Sequence, residues 1–128
     1  MTLAALLDTL LPGDADWPAA STLDGLAAGC ETEAAPLLPL LPPGFATLDA
    51  DHREAAARTL EAAHPASFER LVAAAYLAYY THPEVRAALE RLTGYEARPP
   101  QPLGYDLPPF DESLLEAQRK RAPFWREA

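Results

Sequence analysis

Residues 65–80 read PASFERLVAAAYLAYY, and they place Phe68, Leu71, Val72, Ala75 and Tyr79 at intervals of three and four. That spacing belongs to one face of an α-helix, because 3.6 residues complete a turn. Tyr76 and Tyr80 flank the stripe, and Leu77 points away from it. Apolar residues therefore surround most of the helix. Such a helix sits at the centre of a bundle or keeps a side for a partner.

The flanking sequence extends the helical reading. Upstream, the spacing predicts a helix over Leu48 to His64, rich in alanine and carrying Glu54 and Arg58 as an i, i+4 pair. Downstream, Thr81-His82-Pro83-Glu84 reads as a capping box with an early proline. It opens a helix with Val85, Ala88, Leu89 and Leu92 on one face, and Gly94 is the expected stop. At the N-terminus, Leu3, Leu6, Leu7, Leu10 and Leu11 predict an amphipathic helix over Thr2 to Leu11, ended by Pro12-Gly13. A loop from Gly13 to Ala20 carries Asp14, Asp16 and Trp17. A short helix is expected from Ser21, as cap, to Cys30.

Fourteen prolines punctuate the 128 residues. Pro36 to Gly44 (PLLPLLPPG) is too proline-rich for a regular helix and reads as single-turn structure with leucines plugging the core. From Tyr95 to Pro109, five prolines and a glycine predict an extended arm. Asp111 then caps a terminal helix with acids first and Arg119, Lys120 and Arg121 near its end. Phe124 and Trp125 close the chain.

Composition agrees with pattern. The chain has 27 Ala and 21 Leu but only two residues of Val and Ile combined. Alanine and leucine favour helix, and the β-branched residues a sheet needs are nearly missing. The expected fold is all-α: a single domain over 1–128, built as a bundle of about five to six short helices. The proline-rich arm spans 95–110 and the terminal helix 111–121.

The net charge of −9 repels phosphate backbones and argues against a nucleic-acid partner. The charge is also lopsided. Residues 1–64 hold ten acids and two bases, and residues 65–128 hold nine acids and eight bases. No stretch approaches the about 20 apolar residues of a membrane span. The apolar N-terminus lacks a basic flank and a twin-arginine signal, which predicts a cytoplasmic protein unless a partner carries it elsewhere.

No catalytic constellation emerges. Cys30 is the single cysteine and has no histidine near it in sequence, and Ser21, Ser67 and Ser113 fall at expected helix starts. Asp49, Asp51 and His52 cluster at a helix start, where acids are common for dipole reasons. His64 and His82 each precede a proline at a helix junction. The Asp14-x-Asp16 loop lacks the glycine and distal glutamate of a calcium loop, and no G-x-G stands anywhere. The chain is thus expected to be non-enzymatic, with no catalytic, cofactor or metal residues of its own.

The tyrosines are the sharper signal. Tyr76, Tyr79, Tyr80, Tyr95 and Tyr105 all lie where the apolar helix leads toward the proline-rich arm. A large apolar ring with a polar tip suits an interface, and it equally suits packing the arm onto its own domain. The candidate partner contacts are Tyr76, Tyr80, Tyr95, Leu103, Tyr105 and Phe110.

The block Ala78-Tyr79-Tyr80-Thr81-His82-Pro83-Glu84-Val85-Arg86-Ala87-Ala88-Leu89 resembles the gluconate 2-dehydrogenase subunit 3 family. So do Gly94-Tyr95, the run Pro99-Pro100-Gln101-Pro102-Leu103-Gly104-Tyr105-Asp106, the opening Leu6-Leu7-Asp8-Thr9-Leu10-Leu11-Pro12, and Ala19-Ala20. The resemblance covers most of the chain through helix and turn signatures. It implies a bacterial-type accessory or maturation subunit beside a large membrane-associated flavin-dependent dehydrogenase. FAD and the oxidoreductase chemistry would then belong to that partner. Two alternatives stand beside it. One is a self-associating structural protein that closes a homodimer. The other is a small-ligand or metal-binding protein using His52, His64 or His82.

Overall fold

Among the described residues, six α-helices and four short 3-10 turns make up the regular structure, and no strand occurs. The all-α expectation holds. The computed structural model describes residues 2–95 and 109–121. It divides into two units, Met1–Ala97 and Arg98–Ala128.

The first unit holds α1 (Thr2–Leu10), α2 (Leu26–Ala34), α3 (Ala50–Ala63), α4 (Pro65–Thr81) and α5 (Pro83–Thr93). Its core forms where the predicted stripes converge. Leu6, Leu7, Leu26, Cys30, Leu37, Phe45, Leu71 and Val85 are all buried, and each large apolar side chain so placed is worth about 1.5–3 kcal/mol. The most extensive contact is between α2 and α4. Small residues meet across it, with Gly29 on α2 facing the Cβ of Ala78 on α4. Leu37 and Leu41 plug the core from the proline-rich turn, as its pattern predicts, while Leu40 stays exposed.

Three local expectations are corrected. Ser21 does not cap α2. It sits in a 3-10 turn (Ala20–Thr22), and its N–H donates to Asp8 Oδ1 at 2.7 Å. The helix starts only after Gly25, whose φ of 78° is a left-handed conformation that glycine alone adopts without strain, and Cys30 lies inside α2 rather than at its end. Next, α3 begins at Ala50, not Leu48, because Asp49 accepts the N–H of His52 and leaves Leu48 extended. Finally, His82 caps α5 in place of Thr81. The preceding helix runs through Thr81, whose hydroxyl donates to the Leu77 carbonyl at 2.6 Å. The residue before proline must leave the helical region, so His82 turns extended and its Nδ1 accepts from the Glu84 N–H.

In the second unit, Asp111 Oδ1 accepts the N–H of Ser113, two residues on, at 2.9 Å. That short reach sets a 3-10 turn (Glu112–Leu115) before a four-residue α6 (Glu116–Arg119), where the sequence predicts one continuous helix over 111–121. Most of the arm predicted at 95–110, with Leu103 and Tyr105, lies outside the described residues, as do Phe124 and Trp125.

Candidate interaction site

The geometry around α4 starts from Tyr79. Its ring is buried at 4% exposure, and its hydroxyl donates to the Pro18 carbonyl at 2.7 Å across 61 residues of chain. Burial pushes this phenol above its ordinary pKa, with the neighbouring Tyr80 and the Asp14 charge adding to the shift. The bond fixes the loop between α1 and α2 against α4.

That loop is held at further points. The Ala20 N–H reaches the Leu11 carbonyl at 3.2 Å, and Arg91 Nη2 on α5 donates to the Asp16 carbonyl at 2.9 Å. Inside the loop, Asp14 Oδ1 accepts the N–H groups of both Asp16 and Trp17 at 2.8 Å, and the Asp14 N–H donates to the Trp17 carbonyl at 2.9 Å. Those two backbone donors hold the Asp14 carboxyl below its ordinary pKa of 3.8. Gly13 makes the turn feasible, because a Cβ there would lie 2.5 Å from the backbone nitrogen of Ala19.

Together these constraints build a pocket of about 300 Å³ lined by Leu10, Leu11, Pro12, Asp14, Trp17, Tyr76, Tyr79 and Tyr80. The Tyr79 and Tyr80 rings stand edge to face with centroids 5.2 Å apart and planes at 86°, and Tyr76 meets Tyr80 at 6.1 Å and 71°. Tyr76 is 48% exposed, Leu77 69% and Tyr80 55%, so this edge of α4 turns large side chains to solvent. Sequence reading singled out the tyrosines but not their companions. Trp17 and Asp14 are some 60 residues away along the chain, and only the proline-bracketed loop hinted at a built turn.

Of the predicted contacts, Tyr76 and Tyr80 therefore come together on one edge. Tyr95 is exposed just beyond α5, and Phe110 is exposed in the second unit. Leu103 and Tyr105 lie outside the described residues.

A second hollow, of about 470 Å³, lies between the proline-rich turn and α3, lined by Leu40, Pro42, Ala56, Thr59, Leu60, Ala63 and His64. His64 joins α3 to α4: its N–H donates to the Leu60 carbonyl, and its own carbonyl accepts from Phe68. His82 caps α5 and reaches the Asp24 carbonyl from Nε2 at 3.3 Å. His52 Nδ1 lies 2.7 Å from Asp49 Oδ1, and the hydrogen bond and charge of Asp49 raise the His52 pKa above 6.5. Among the described residues no group of three His, Cys, Asp or Glu is placed to hold a metal ion. Cys30 is buried, and desolvation pushes its thiol pKa up, which leaves a poor nucleophile. No helix among the described residues is long and apolar enough to cross a membrane.

Comparison of the chain with family models, with curated proteins and with solved structures finds no significant match.

Proposed function

We propose that this chain is a non-catalytic accessory or maturation subunit that docks on a larger protein through the exposed edge of α4. The observation that carries the reading is the pairing of exposed Tyr76, Leu77 and Tyr80 with a rigid seat beneath them. Tyrosines fixed by packing lose little entropy on binding and are enriched at the centres of interfaces. The nature of the partner comes from the sequence resemblance alone: a flavin-dependent, gluconate-type dehydrogenase that carries FAD and the redox chemistry. A second copy of this chain is the competing occupant of the same edge.

Affinity purification of the tagged protein from its own host, with mass spectrometry and a flavin absorbance scan, tests this. A stoichiometric yellow dehydrogenase in the eluate is the expected result. A colourless protein that elutes alone and self-associates with rising concentration would replace it with the homodimer. Changing Leu77 or Tyr80 to Ala should weaken capture by tenfold or more, the loss of a hot-spot contact, on a fold that melts as before.

A further inference from the structure

The pocket beside the exposed edge has a chemistry of its own. Three tyrosines and an indole line one small volume, and the half-exposed rings of Tyr76 and Tyr80 meet edge to face there, with Tyr79 against Tyr80. Asp14 adds a full negative charge at the wall. Its Oδ1 is occupied by two backbone N–H groups, whereas Oδ2 accepts no hydrogen bond among the described residues. The hydroxyls of Tyr76 and Tyr80 likewise have no hydrogen-bond partner there. The Arg91 guanidinium is engaged with the Asp16 carbonyl and does not line the pocket.

From this the geometry points to a receptor for a single arginine side chain presented by the docking partner, a proposal that rests on the docking reading above. Aromatic faces attract cations and a carboxylate reinforces them, whereas an anionic ligand would meet repulsion. The acidic N-terminal half, with ten acids against two bases, steers toward the same sign of partner. Guanidinium fits better than ammonium. It is flat, stacks on rings, is weakly hydrated, and offers several donors for Asp14 Oδ2 and the phenolic oxygens. A volume of about 300 Å³ suits one side chain and lies at the lower limit of pockets that hold a cofactor-sized molecule.

The test titrates N-acetyl-arginine amide into the full ¹⁵N-labelled chain, with N-acetyl-citrulline amide as the uncharged isostere. The Trp17 indole N–H is the reporter, assigned with a Trp125→Phe variant. A saturable shift is expected for the arginine probe, and binding weaker by at least about fivefold for the citrulline probe. Asp14→Asn keeps the Oδ1 acceptor that holds the loop but removes the charge, so it should weaken the arginine probe roughly fivefold with unchanged melting. Tyr80→Leu should weaken it by a similar factor. Equal responses to both probes, or none at Trp17, would overturn the assignment even when the wild type still captures its partner. A probe that binds while Asp14→Asn captures the partner as well as the wild type would also overturn it. A wild type that captures nothing overturns the docking reading and the source of the arginine, and guanidinium recognition by the pocket would stand.

Discussion

The two long sides of α4 carry similar residues and meet opposite fates. Phe68, Leu71, Ala75 and Tyr79 are buried, on the side of a helix whose main partner is α2, while Tyr76, Leu77 and Tyr80 stand in solvent one step around it. Hydrophobicity does not separate the sides, since Leu71 and Leu77 are the same residue six positions apart. What separates them is supply. Helix α2 offers Leu26, Cys30 and Ala34 to one side, and no described element of the first unit buries the other. An apolar stripe therefore reports where burial is available, and the leftover edge is where a partner gains most.

The contrast can be broken by mutation. Leu71→Ala, at zero exposure, should lower stability by about 2–5 kcal/mol in a urea melt, because a cavity opens in the core. Leu77→Ala removes the same atoms from the open edge and should stay within about 0.5 kcal/mol of wild type. Equal losses for the two leucines would mean that the exposed edge is covered in solution.

Smaller changes sharpen the comparison at the pocket. Gly13→Ala forces a Cβ into the Ala19 backbone, and the expected cost is about 1–3 kcal/mol in the same melt, together with a displaced Trp17 indole signal. Tyr79→Phe deletes only the hydroxyl that holds Pro18. It should cost about 0.5–1.5 kcal/mol and speed amide exchange in the loop more than in α4.

The smallest effect lies far from that edge, at the exposed Asp49–His52 pair. Because the folded pKa of His52 is raised, the pair's stabilisation is fully present below the ordinary value of 6.5 and is lost as pH rises through the raised value. A slight fall in melting temperature over that range is expected, and it should vanish in His52→Ala.

Much of the architecture was legible because helical periodicity and proline punctuation are local signals. The stripe from Phe68 to Tyr79, the exposed Leu77, the Glu54–Arg58 pair and the Gly94 stop all stand where the pattern put them. The errors fell at helix starts. Ser21, Thr81 and Leu48 each had suitable chemistry, but a neighbour won: Gly25 by its positive φ, His82 through the following proline, and Asp49 by its reach to His52. These contests are decided by differences of about 1 kcal/mol, too fine for residue preference alone.

The candidate site was half legible. Clustered tyrosines on one helix could be read directly, since i, i+3 and i+4 fix their relation. Asp14 and Trp17 could not, because a contact across some 60 residues depends on how helices pack. Sequence by itself determined that this chain is helical, acidic and punctuated by proline, since those properties add up residue by residue. Only the tertiary structure decided that Tyr76, Leu77 and Tyr80 stay uncovered by the first unit and which loop met the tyrosines, because burial depends on the surface a helix finds opposite it.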